Sequence, residues 1–89
     1  MPIRAAKKKG VSLLHIEGEM TIYTAATLKE ELMKHIAQPC EREIDLSDVS
    51  EMDSAGLQLL ILAKREAVRH NTPLRLTGHS PAVLEVMNI

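Results

Sequence analysis

Asp53-Ser54-Ala55-Gly56 sets a hydroxyl beside a carboxylate and two small residues, just ahead of a long apolar run, with Asp45, Asp48 and Glu51 upstream. A serine hydroxyl at the mouth of a helix, fenced by carboxylates, suits the addition and removal of a phosphate. The four carboxylates Asp45, Asp48, Glu51 and Asp53 also have the chemistry to gather Mg²⁺. Phosphate-binding machinery is missing: the chain has only four glycines, with no Gly-x-x-x-x-Gly-Lys and no Gly-x-Gly-x-x-Gly stretch. Ser54 has no histidine near it in sequence, and carboxylates do not build an oxyanion hole. The histidines at 15, 35, 70 and 79 lack ligand-like spacing and share no neighbourhood with Cys40. His15, mid-strand, is expected to be a satisfied structural imidazole. No catalytic residue, no metal and no cofactor is expected. A purely structural reading of 53–56 stays open at this point, because Asp and Ser are preferred N-caps and Gly permits a tight start to a helix.

The elements around that stretch follow from hydrophobic periodicity. Ile3 to Ala6, the turn Lys7-Lys8-Lys9-Gly10 and the run Val11 to Glu17 predict an antiparallel hairpin, its lysines solvated and discouraging edge-to-edge pairing. Gly18-Glu19-Met20-Thr21 breaks the strand pattern. From Thr24, as N-cap, Ala25, Leu28, Leu32 and Ile36 predict a helix, which Pro39 ends. Glu43 to Leu46 predicts a strand, followed by an acidic loop. Leu57 to about His70 predicts a second helix, with Leu57, Leu60, Ile61, Ala67 and Val68 on the sheet and Lys64 snorkelling out of that face. Leu59 and Leu62 are expected on the free side, beside Gln58. Leu74 to Thr77 predicts a short strand, and Ser80-Pro81 a strong start for a third helix carrying Val83, Leu84 and Met87. The order β-β-α-β-α-β-α describes one mixed α/β (α+β) domain over residues 1–89, with a mixed sheet of about four strands.

Composition narrows the partners. Eighty-nine residues hold one core, and with a single Tyr and no Phe or Trp it is built from aliphatic side chains. Stability is expected near the low end of the ordinary range of ~5–15 kcal/mol. A net charge of −1 argues against a nucleic-acid partner. Lone Cys40 suits a reducing cytoplasm, and no run approaches a membrane span or a signal peptide.

Gly18-Glu19-Met20, the Glu43-to-Asp48 strand with its loop, Met52-Asp53-Ser54-Ala55-Gly56-Leu57 and Ser80-Pro81-Ala82-Val83 run in order from about Val11 to Met87. In that order they resemble the STAS family of bacterial anti-sigma factor antagonists. The resemblance implies that Ser54 is the phosphoacceptor of a partner anti-sigma factor, a serine kinase with a histidine-kinase-like ATPase. The unphosphorylated form would hold that kinase and free a sigma factor, and a separate serine phosphatase would reset it. The docking surface so implied comprises Glu19, Thr21, Asp53, Ser54, Ala55, Gly56, Gln58, Leu59 and Leu62. A phosphate on Ser54 would meet the backbone N–H groups opening the second helix and the repulsion of Asp48, Glu51 and Asp53. Thr21 departs from the family, which commonly places an aspartate there. The chain stops after its third helix where relatives usually add a strand and a helix, through compactness or a lost terminus, leaving an edge for a partner or dimer. A cytoplasmic monomer or weak dimer without membrane insertion is expected. The rival implication is a constitutive STAS subunit of an ABC lipid-transport complex or a sensory assembly, with no phosphorylation cycle.

Overall fold

The computed structural model describes residues 3–36 and 41–87. Strands β1 (Ile3–Lys8) and β2 (Val11–Met20) pair antiparallel, with Lys8 opposite Val11. The two residues between them, Lys9 and Gly10, both have positive φ (53° and 81°). This is the primed turn that matches strand twist, and Gly10 adopts it without a Cβ penalty. Helix α1 (Ala25–Ile36) leads to β3 (Glu41–Met52), which lies parallel to β2. Helix α2 (Ser54–Arg69) leads to β4 (Leu74–Thr77), parallel to β3, and α3 (Pro81–Met87) follows. The sheet order is β1-β2-β3-β4, so the predicted element order and the mixed sheet are both present. The predicted end of α1 at Pro39, and Cys40, lie outside the described residues.

The sheet has a dry face and a wet one. Leu14, Ile16 and Met20 of β2 and Ile44, Leu46 and Val49 of β3 are buried in one core with Leu28, Leu32, Ile36 and Val83. The alternate residues Leu13, His15, Glu17, Glu43 and Asp45 are half-exposed on the other face. There Arg4 pairs with Glu17 at 2.9 Å, and Arg75 with Glu43 at 3.4 Å. This one-sided wetting explains the first correction. Residues 47–52 continue β3 and are not a loop, their polar side chains mostly exposed while Val49 turns inward. Likewise Gly18-Glu19-Met20 does not end β2; the strand runs to Met20, with Gly18 at φ 89° beside a register shift.

The phase of α2 is the second correction. Its buried residues are Gly56, Leu59, Leu60, Ala63 and Ala67, a clean three-and-four spacing that includes the helix's small residues. Ile61 and Val68, expected on the sheet, are 50% and 75% exposed, and Leu57 is half-buried. Bulk misled the wheel: close approach to the sheet selects Gly and Ala, and pushes larger side chains to the flanks. Lys64 is exposed and donates to the Leu74 carbonyl at 2.6 Å, tying α2 to β4.

Caps complete the frame. Ser80 is buried and its Oγ accepts from the Val83 N–H at 3.3 Å, so the Ser-Pro start of α3 holds as predicted. Thr24 precedes α1 and its carbonyl accepts from Leu28 N–H, but its hydroxyl turns backward and donates to the Glu19 carbonyl at 2.9 Å. Arg42, fully buried, donates from Nη2 to the His35 carbonyl near the end of α1.

The rotated helix makes a clear forecast. Leu59→Ala should lower unfolding free energy by about 2–5 kcal/mol, the range for emptying an aliphatic core site. Ile61→Ala should stay within about 0.5 kcal/mol, as at most surface sites. Urea denaturation of the two variants checks this, and equal losses would contradict the observed phase.

Candidate functional site

Asp53 sits between β3 and α2 in an extended conformation, φ −126° and ψ −172°. Its Oδ1 accepts from the N–H groups of Ala55 at 2.9 Å and Gly56 at 3.2 Å, which makes it the N-cap of α2. Its Oδ2 accepts from Ile22 N–H at 3.0 Å, and its own N–H donates to the Met20 carbonyl at 3.3 Å. One side chain therefore fastens the segment between β2 and α1 to the start of α2. These bonds, the one from Ile22 foremost, hold its carboxyl below the ordinary carboxylate value.

Ser54 is the first residue of α2 and is exposed. The helix N–H groups expected to cradle a phosphate there are already engaged: Ala55 and Gly56 donate to the Asp53 side chain, and Leu57 donates to the Asp53 carbonyl at 3.1 Å. That corrects the expected cradle.

Gly56 is buried against the end of β2. A Cβ at this position would collide with the Met20 carbonyl oxygen and lie 2.9 Å from the Met20 Cβ. The close crossing of α2 over β2 requires glycine here for space, since its φ is not positive. Gly56 thus positions the surface and is not itself displayed.

Two concavities flank Ser54. One, of about 530 Å³, lies between α1 and α2 and includes Ala25, Lys29, Ala55, Gln58, Leu62 and Arg65. The other, of about 560 Å³, lies across Asp53 toward α3 and includes Glu19, Glu51, Tyr23 and Glu85. The neighbouring Glu51 carboxyl holds that of Glu19 above the ordinary carboxylate value, through carboxyl–carboxyl hydrogen bonding first and like-charge repulsion second. Ile22 and Tyr23, beside the Asp53 clamp, are 70% and 90% exposed.

The sequence-derived docking set divides accordingly. Glu19, Ser54 and Gln58 are exposed, and Asp53, Ala55 and Leu62 are half-buried. Thr21 and Leu59 are buried and offer little surface; Thr21 Oγ1 accepts from Tyr23 N–H within its own turn, and Leu59 belongs to the core. Ile22, Tyr23 and Ile61, outside that set, are exposed large apolar residues. An Ile-Tyr pair inside a segment that breaks strand periodicity was the available signal. The Mg²⁺ quartet also separates: Asp53 caps α2, whereas Asp45 and Asp48 bond to His15 on the wet face of the sheet.

The depressed Asp53 carboxyl carries a pH signature. Its contribution to stability is fully present above the unfolded value of 3.8 and is lost as pH falls through the lower folded value. Asp53→Asn keeps a capping side chain but removes the titration, so its urea midpoint should depend less on pH than wild type between about pH 5 and pH 2. Parallel profiles would show that the carboxylate is not held as described.

Comparison with known proteins follows the same outline. A family model described as Mlab, STAS domain matches residues 3–89. The anti-sigma-B factor antagonist of Bacillus subtilis (strain 168) is 30% identical over 76 residues, 85% of this chain and 70% of that protein. An anti-sigma factor antagonist from Mycobacterium paratuberculosis shares the fold at a TM-score of 0.86 and 24% identity, over 97% of this chain and 74% of that one. A substituted form of RsbS from Moorella thermoacetica does so at 0.77 and 26% identity, over 99% and 76%. With the family model spanning both flanks of the Asp53 clamp, the chain belongs to the STAS-domain family.

Proposed function

We propose that this chain is an anti-sigma factor antagonist, a binding module without catalysis of its own, switched by phosphorylation of Ser54. The observation that carries the reading is an exposed serine at the first turn of α2 with its neighbouring helix N–H groups already occupied by Asp53. A phosphate there adds about −1.5 to −2 charges and three acceptor oxygens. The fold has little use for them, since Asp53 caps the helix and Glu19 and Glu51 lie close by. The charge is therefore spent on whatever docks over Ser54.

The unphosphorylated surface fits a partner protein. Ile22, Tyr23 and Ile61 offer exposed apolar area, Ile22 beside the Asp53 clamp and Ile61 in the groove between α1 and α2 that Lys29 and Arg65 also line. Forcing a dianion into such a drying interface is costly, so phosphorylation works by blocking association. The 30% identity to the Bacillus subtilis antagonist supports an anti-sigma factor as that partner. Within this reading the partner is a serine kinase of the histidine-kinase-like ATPase type, a separate phosphatase restores the hydroxyl, and the cycle runs in the cytoplasm. No helix among the described residues is long and apolar enough to cross a membrane.

The STAS resemblance carries one rival: a constitutive STAS subunit of another assembly, such as an ABC lipid-transport complex or a sensory assembly. There Ser54 would contact a partner without ever carrying phosphate.

Pull-down from native cell extract with wild type, Ser54→Ala and Ser54→Asp, read by mass spectrometry, separates the two. A switch requires that Ser54→Ala retain a small kinase-like ATPase, that Ser54→Asp lose it by at least about tenfold, roughly 1.4 kcal/mol, and that wild type carry phosphate on Ser54. Equal recovery of an ABC ATPase by all three, with no phosphate, would replace this reading with the constitutive subunit.

A further inference from the structure

On the wet face of the sheet, three metal-ligating side chains converge. His15 and Glu17, two apart on β2, share that face by strand alternation. Asp48 reaches it through an irregularity. His15 is opposite Asp45, but Glu17 is opposite Asp48, so β3 holds one residue more than β2 across this step. The extra residue turns Asp48 outward and lets Val49 resume the core. Donor atoms of His15, Glu17 and Asp48 lie within 4.8 Å of one another, and among the described residues no other group of this kind occurs.

Further bonds orient the donors. His15 Nδ1 lies 2.9 Å from Asp45 Oδ2, and Asp45 Oδ1 accepts from Ser47 N–H at 3.0 Å. A ring held at Nδ1 by a carboxylate presents Nε2 as a ligand in a fixed direction, the arrangement found behind metal-bound imidazoles. Nε2 stands 2.7 Å from Asp48 Oδ2. Arg4 Nη2 holds Glu17 Oε1 at 2.9 Å, which orients that carboxylate as well.

Charge agrees with geometry. Three carboxylates, Glu17, Asp45 and Asp48, face one guanidinium and one imidazole. With the imidazole neutral, two negative charges are left over, the amount a divalent ion cancels. Donors bound tetrahedrally at about 2.0–2.1 Å stand roughly 3.3 Å apart. The exposed Asp48 and half-buried Glu17 side chains have room to adjust to that spacing. One imidazole nitrogen with two carboxylates suits Zn²⁺ or a neighbouring transition metal, whereas Mg²⁺ and Ca²⁺ favour oxygen alone.

We propose that His15, Glu17 and Asp48 bind a divalent transition-metal ion, with Zn²⁺ the best fit, and that Asp45 orients the imidazole. The ion takes the place of the proton between Nε2 and Asp48, leaves a fourth position for water, and pins β2 to β3 across the irregular register. This site is independent of Ser54 and of the partner switch.

The test is calorimetric titration of the metal-stripped full chain with ZnCl₂ at about pH 7.5. One Zn²⁺ per chain is expected, uncontested by excess Mg²⁺. His15→Ala should abolish binding, Asp48→Asn and Glu17→Gln should weaken it at least about tenfold, and Asp45→Asn about 10–100-fold. His70→Ala should bind as wild type. Asp48→Asn and Glu17→Gln are near-isosteric changes at a solvated face and keep the fold, which far-UV circular dichroism checks. Absence of Zn²⁺ binding by wild type overturns the proposal. So does equal binding by wild type and by folded Asp48→Asn and Glu17→Gln, which would place the ion on other histidines or Cys40.

Discussion

The carboxylate of Asp53 is shared among three backbone N–H groups drawn from two places in the chain, Ile22 on one side and Ala55 and Gly56 on the other. Helix starts leave such donors without intrahelical partners, and an aspartate N-cap is a common remedy. Here the second oxygen does something a serine cap could not: it reaches across to the segment linking β2 and α1. Ser54 and the exposed Ile22-Tyr23 pair are consequently held in fixed relation, although more than thirty residues separate them. Any binding surface that needs both is organised by one side chain that itself stays half-buried.

Gly56 supplies the complementary constraint. Asp53 fixes where α2 begins, and the absence of a Cβ at Gly56 lets the first turn come down on Met20. Together they decide the helix phase: Leu59, Leu60, Ala63 and Ala67 face the core, while Gln58, Ile61 and Arg65 face out. Asp-Ser-x-Gly thus reads physically as a cap, a displayed residue, a spacer and a close crossing. The structural and functional readings of the segment are not rivals, because the cap is what exposes the serine.

Much of this architecture was legible in the chain. The hairpin around Lys7-Lys8-Lys9-Gly10, the helical spacing of Leu28, Leu32 and Ile36, and Ser80-Pro81 each reported a local rule that the fold obeys. The losses came where local rules compete with tertiary packing. A wheel that ranks residues by hydrophobicity put Ile61 and Val68 inward and Leu59 outward, because the close approach dictated by Gly56 is not encoded in bulk. A one-sided sheet made residues 47–52 look like a loop, since polar outer positions mask the inward Val49. The His15 cluster was invisible for a different reason. Its members are thirty-three residues apart at the extremes, from His15 to Asp48, and only a shifted register between parallel strands brings them to one face.

The same two constraints explain why a phosphate at Ser54 would be a poor internal ligand and an effective external signal. A helix N-terminus ordinarily welcomes an anion through its free N–H groups and dipole. In this chain the welcome is already taken, because the Asp53 carboxylate is the resident anion. A second anion next to it gains little from the dipole and meets repulsion from Asp53, Glu19 and Glu51, all of which lie in or beside the neighbouring concavity. With internal gain and internal loss both small, the folded domain can accept the modification with little rearrangement. In the proposed switch its energetic effect would fall on a partner docked over the exposed Ile22, Tyr23 and Ile61, where a neutral hydroxyl can be dried and a dianion cannot. The proposed switching by exclusion thus rests on a saturated helix cap, and needs no second conformation of the protein.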